Sequence, residues 1–166
     1  MFYSIQFFCL TLPKFYNMSV EIERKFLVVG PFKHLVIKRF EIAQGYLSVS
    51  PDSTVRIRIS DNQAWITVKS RTIGATRDEW EYSVPLNDAR EMLACCGSRK
   101  IEKTRYIIDA EDGLRWEIDE FHGRHSGLVI AEIELPSEET SFVKPPYIGE
   151  EVTGDTRYYN SNLSLS

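Results

Sequence analysis

Cysteine and histidine are scarce in this chain of 166 residues, with three of each. Cys9, Cys95 and Cys96 are odd in number and two of them are adjacent. That pattern is neither a disulfide framework nor the paired Cys/His spacing of a zinc site, and it reads as reduced thiols of a cytoplasmic protein. His34, His122 and His125 fall in a helix or beside a turn, where a lone histidine is read as structural or solvated rather than catalytic. No run reaches the roughly 18–20 apolar residues that a membrane-spanning helix needs, so no membrane contact is expected. An excess of positive charge is also missing. Lys and Arg number 20 against 24 Asp and Glu, a net charge of −4. No global basic field recruits nucleic acid, and any anion site must be built locally. Internal repeats and linkers are absent, and the length suits one domain.

Residues 1–17 differ from the rest. They hold Phe2, Tyr3, Phe7, Phe8, Phe15 and Tyr16, no acidic residue, and no base before Lys14, so they lack the charged start of a signal peptide. They are read as a non-native or disordered extension, of the kind a misplaced start codon produces. The working domain is expected to span 18–166.

From Met18 onward, apolar and polar residues alternate with period two, the mark of half-buried strands. The pattern predicts strands at 20–29, 41–49, 54–60, 64–71, 79–84, 99–110, 114–121 and 127–135. Between them lie turn chemistries: Ser50-Pro51-Asp52, Asp61-Asn62, Ile73-Gly74, Pro85, Glu111-Asp112-Gly113 and His122-Gly123. Helices are expected at 87–96, with Asn87 as N-cap and Gly97 at C′, and as short pieces at 31–40, from near Ser137, and at 156–163. The fold class is α+β, mainly β. Eight strands with short turns suggest a closed antiparallel β-barrel with a few helices packed outside, an arrangement that leaves no open sheet edge.

Strand parity sorts the charges onto one face. Glu21, Glu23 and Lys25 oppose Ile22 and Phe26; Arg56 and Arg58 oppose Val55, Ile57 and Ile59; Thr67 and Lys69 oppose Ile66 and Val68. Arg77, Glu79 and Glu81 oppose Trp80 and Tyr82, and Lys103 and Arg105 oppose Tyr106 and Ile108. Arg115, Glu117 and Asp119 oppose Trp116 and Ile118, and Glu132 and Glu134 oppose Ala131 and Ile133. One such strand is an ordinary solvated surface. Seven alike point to a barrel whose charged face lines its interior. Carboxylates two strand positions apart, about 7 Å, repel unless a hard cation sits among them. Clustered Lys and Arg ask for a polyanion, and the planar guanidinium suits phosphate oxygens. A phosphate chain with Mg²⁺ or Mn²⁺ satisfies both demands.

Glu21-Ile-Glu-Arg-Lys25 resembles the EXEXK signature of the triphosphate tunnel metalloenzymes, the CYTH superfamily. The blocks at 44–47, 55–58, 67–69, 77–81, 103–106, 116–121, 128–135 and 151–155 are similar to family blocks in family order. Together they cover nearly all of 18–166, and the short, single-domain bacterial inorganic triphosphatases are most similar. The resemblance implies that Lys25, Arg56, Arg58, Lys69, Lys103 and Arg105 grip the phosphates, and Arg77 is placed with them on the same face. It implies that Glu21, Glu23, Glu132 and Glu134 hold metal, with Glu117 and Asp119 beside a second ion and Glu79 or Glu81 by the attacking water. Lys25 is also counted among the catalytic groups. Tyr46 shares the parity of Gln44 and is a candidate to enter the tunnel and join the catalytic groups. The implied activity is metal-dependent hydrolysis of inorganic triphosphate to diphosphate and phosphate, with two Mg²⁺ or Mn²⁺ ions, and a homodimer is left open. The alternatives on the same fold are a nucleoside or thiamine triphosphatase and a class IV-type adenylate cyclase. A non-catalytic polyphosphate-binding module is the alternative of another class.

Overall fold

A computed structural model describes residues 19–73, 76–110 and 113–166. The extension 1–17, Met18, and the expected turn residues Gly74, Glu111 and Asp112 lie outside the described residues. The strands are β1 (Ser19–Val28), β2 (Lys38–Val49), β3 (Ser53–Ser60), β4 (Gln63–Ser70), β5 (Thr76–Ser83), β6 (Lys100–Asp109), β7 (Arg115–Phe121), β8 (Val129–Glu134) and β9 (Ile148–Glu151). Every pairing is antiparallel, and eight strands close a ring in the order β1-β5-β4-β3-β2-β6-β7-β8 and back to β1. The eight-stranded barrel expected from the alternation is therefore present.

β1 has three partners. Ser19–Ile22 pair with β5, Glu23–Leu27 pair with β8, and Phe26 and Val28 pair with β9. Phe26 faces Ala131 on one side and Glu151 on the other, so both edges of this strand are occupied. The ninth strand falls in a block with no clear alternation, Ile148-Gly149-Glu150-Glu151, and was not legible as a strand. It is held by its partner rather than by its own pattern.

The apolar face of the barrel points outward and is covered in two ways. On β2, β3 and β4 lies α1 (Leu86–Cys95), which joins Ala89, Met92 and Leu93 to Ile57, Ala64 and Ile66. Its approach is close enough that a Cβ on Gly45 would sit 2.7 Å from Cys96 Sγ, so this site on β2 needs glycine. The opposite side is covered not by a helix but by a coil and β9. Phe142, Tyr147 and Ile148 pack with Phe26, Trp116, Ile118 and Ile133, and Phe26, Trp116 and Phe142 meet edge-on at 5.5–5.9 Å.

Three helix expectations change. The segment 31–40 holds only one 3-10 turn, Lys33–Leu35, because β2 already begins at Lys38. Near Ser137 there is a turn closed by Thr140, and the tail splits into a 3-10 turn, Thr156–Tyr158, and α2 (Asn160–Leu163). α1 begins one residue before the expected cap: Pro85 occupies the N-cap without a side-chain bond, and Asn87 lies inside the first turn. Gly97 does follow the helix in the left-handed conformation (φ 59°) expected of C′.

Candidate active site

The inner face encloses a cavity of about 600 Å³. Its wall carries seven cations, Lys25, Arg56, Arg58, Lys69, Arg77, Arg105 and Arg115, and six carboxylates, Glu21, Glu23, Glu79, Glu117, Glu132 and Glu134. β1, β3, β4, β5, β6, β7 and β8 each contribute, because each turns alternate residues inward. Nearly all the charges expected on one face thus converge on one chamber.

Ion pairs link those from Glu79 round to Arg105 into a continuous belt. Lys69 Nζ lies 2.8 Å from Glu21 and 2.5 Å from Glu79. Arg77 spans Glu21 at 2.6 Å and Glu23 at 2.8 Å. Lys25 contacts Glu23 at 2.9 Å and pairs closely with Glu132. Arg105 reaches Glu132 at 2.9 Å and Asp119 at 2.7 Å, and also contacts Glu117. Burial alone would lower Lys25 and raise Glu132, yet the partners prevail. Lys25 is held above the usual lysine range by Glu132 and Glu23, and Glu132 is held well below the carboxylate range by Lys25 and Arg105. Burial likewise opposes ionised Glu79, but Lys69 holds its carboxyl below the usual range.

The belt is not fully satisfied. Arg56 Nε and Arg58 Nε are buried donors without acceptors. Burial and then the neighbouring Arg56 guanidinium pull Arg58 down from the ordinary arginine value. Two adjacent guanidiniums with spare donors are a site for an oxyanion. Glu134 has the opposite problem. Burial raises its pKa, and the nearby Glu21, Glu117, Glu79 and Glu23 carboxylates raise it further. Repulsion of this kind is what a divalent cation relieves, and an all-oxygen donor set suits Mg²⁺ or Mn²⁺. Among the described residues, no three such groups are already gathered in a geometry that holds an ion. Glu21, Glu23 and Glu132 are engaged by Lys69, Arg77 and Lys25 instead. The donor chemistry fits the metal.

A model of the CYTH domain matches residues 19–164, nearly the whole described chain. The chain belongs to the CYTH domain family. An inorganic triphosphatase of Acetivibrio thermocellus is 47% identical over 147 residues, which cover 88% of this chain and 94% of that protein. An inorganic triphosphatase of Nitrosomonas europaea is 38% identical over 149 residues, 88% of this chain and 97% of that one. The crystal structure of the inorganic triphosphatase NE1496 superposes with a TM-score of 0.67 at 36% identity, covering 88% of this chain and 95% of that one.

Within this CYTH cavity three expected site residues stand back from the wall. Lys103 and Asp119 are 2% and 1% exposed at their side chains and pair with each other at 2.5 Å inside the barrel. Burial pushes Lys103 down to about 8, whereas Asp119 stays ionised below its usual range because Arg105 and Lys103 outweigh its burial. Glu81 accepts from Arg58 at 3.0 Å and from Thr67 at 2.7 Å. Tyr46 is both wall and packing. It lines the cavity, its hydroxyl accepts from Gln44 Nε2 at 3.2 Å, and its ring joins Ile101, Phe121, Ile130 and Leu163 in an apolar plug. Burial raises its phenol to about 12. Tyr159, Asn160 and Ser161 of the tail also line this CYTH chamber, as do Thr54 and Arg115. Arg115 was visible by parity; the tail residues carry no strand period to give them away.

Proposed function

We propose that this CYTH protein hydrolyses inorganic triphosphate to diphosphate and phosphate inside its barrel. The observation that carries the reading is the interleaving of seven cations and six carboxylates around one chamber. The relatives at 47% and 38% identity, both named inorganic triphosphatases, support it.

Phosphoryl transfer asks the protein mainly for alignment and charge neutralisation. Lys25, Arg56, Arg58, Lys69, Arg77 and Arg105 hold the phosphate oxygens in line and stabilise the charge that builds on the leaving diphosphate. Glu79, kept ionised by Lys69, is the group we assign to orient the attacking water and take its proton. Glu81 acts through Arg56 and Arg58 by holding their guanidiniums. Lys103 and Asp119 act through Arg105, which Asp119 grips at 2.7 Å through both Nε and Nη2. Glu21, Glu23, Glu132 and Glu134, with Glu117 on the same wall, would hold Mg²⁺ or Mn²⁺, which supplies charge neutralisation on the phosphate oxygens. Cys95 and Cys96 are free thiols, the state a reducing cytoplasm maintains.

The test is a substrate panel of tripolyphosphate, ATP and thiamine triphosphate with Mg²⁺ and with Mn²⁺, reading phosphate release and cyclic AMP side by side. Tripolyphosphate should give the highest kcat/KM. Preferred turnover of a nucleotide or of thiamine triphosphate, or cyclic AMP as the main product, overturns the reading.

A further inference from the structure

The inner face of the barrel changes character along its length. Ile101, Phe121 and Ile130 have the parity of Lys103, Asp119 and Glu132, yet with Tyr46 and Leu163 they form an apolar plug. Leu163 is held in it by its backbone. Arg124 Nη2 donates to the Leu163 and Ser164 carbonyls at 3.5 and 2.7 Å, and His125 Nε2 lies 2.7 Å from the Leu163 carbonyl. At the other end of β7 and β8, the wall residues Arg115 and Glu134 are exposed. The chamber is open there and closed at the plug, so a linear phosphate chain enters with one end leading.

Tyr46 puts a polar group on the closed end. It lines the chamber, and its partner across the β2–β3 ladder is Arg56. Burial raises its phenol to about 12 while Arg56, Arg77 and Lys25 pull the other way, so the hydroxyl stands among cations of β3, β5 and β1. A phenol keeps its proton at neutral pH. Gln44 Nε2 donates to the hydroxyl oxygen at 3.2 Å, and among the described residues no acceptor takes the hydroxyl proton. Gln44 is itself 1% exposed, with its Oε1 buried and unpartnered. A hydrocarbon in its place would leave no acceptor unmet. What the amide adds is direction: by donating to the oxygen, it turns the hydroxyl proton away from itself. We propose that the Tyr46 hydroxyl donates to an oxygen of the innermost phosphate, a terminal one in a linear triphosphate, and that Gln44 is the positioning residue that aims it. This rests on the triphosphatase reading and adds to it an uncharged donor outside the ionic belt.

The experiment compares the parent, Tyr46→Phe, Gln44→Met and the Gln44/Tyr46 double variant on tripolyphosphate with Mg²⁺, with a melting curve for each. Loss of one hydrogen bond to a charged oxygen lowers kcat/KM about tenfold in Tyr46→Phe, and the melting temperature stays within about 2 °C because the ring still fills the plug. Gln44→Met lowers kcat/KM about threefold, since its hydroxyl remains but is free to turn. The double variant is no slower than Tyr46→Phe, because Gln44 acts only through the hydroxyl. A kcat/KM for Tyr46→Phe within twofold of the parent overturns the contact, as does a loss matched by a large drop in melting temperature. Losses that multiply in the double variant overturn the positioning role. A parent with no turnover fails the triphosphatase reading instead. Calorimetric binding of tripolyphosphate in EDTA then still compares the parent with Tyr46→Phe, and equal affinities overturn the contact.

Discussion

Lys25 shows how one side chain can serve two states. Without substrate it is buried between Glu132 and Glu23, and it is held above the usual lysine range because those carboxylates outweigh its burial. Removing it takes a phosphate partner away and leaves Glu23 to Arg77 alone and Glu132 to Arg105 alone. Lys25→Ala should therefore lower kcat/KM for tripolyphosphate by a few kcal/mol of transition-state binding, about 3 kcal/mol or 10²-fold, measured by steady-state kinetics. Glu134 predicts the reverse for stability. Its raised pKa means that the folded state binds its proton more tightly than the unfolded chain does. Stability is lost as pH rises through that raised value, and at neutral pH the ionised group disfavours the metal-free fold. Glu134→Gln should stabilise the metal-free protein in EDTA at pH 7 by less than about 1 kcal/mol, because solvent still reaches the part-buried side chain and screens it, read as a small rise in melting temperature that is lost in acid. With Mg²⁺ present the same variant should be slower than the parent.

At the scale of the element, alternation made the barrel legible. Glu21, Arg56, Lys69 and Glu132 could be placed on a common inner face because the period of a strand is two, and a half-buried strand must separate its faces. Depth along that face was not legible. Parity places Lys103 and Asp119 inside, but only the stagger of the strands shows that they pair behind the chamber while Arg105, two positions after Lys103 and directly across from Asp119, reaches it. The tail was illegible for a different reason. Asn160 and Ser161 belong to a single helical turn, which has no period long enough to read, and their place depends on anchors at Arg124 and His125. The helix α1 also depends on a distant residue. Because a Cβ at Gly45 would meet Cys96 Sγ and Leu93 Cδ1 at 2.7 and 2.8 Å, Gly45→Ala should push α1 off β2. It should destabilise the fold by about 1–3 kcal/mol in chemical denaturation, with little change in KM.

For the whole molecule, the belt makes acid the natural denaturant. Asp119, Glu132 and Glu79 are each opposed by burial, yet their cations hold them below the ordinary values of 3.8 for Asp and 4.5 for Glu. The folded state therefore binds fewer protons than the unfolded chain just below those values. The stability they contribute is present above about pH 4.5 and is lost as pH falls through their lowered values. Melting temperature should be nearly flat between pH 5 and 7 and should drop steadily below about pH 4. A protein that melts at the same temperature at pH 3 and pH 7 would contradict the internal belt.

The three-way sharing of β1 also sets a schedule for synthesis. This strand leaves the ribosome first among those described, yet it pairs with β5, with β8 more than 100 positions later, and finally with β9 at Ile148–Glu151. A nascent chain halted before β8 can form the hairpins from β2 to β5, but it cannot shut the ring, and its ionic inner face stays open to water. The active chamber is therefore one of the last things this polypeptide acquires, after a long wait governed by loop closure.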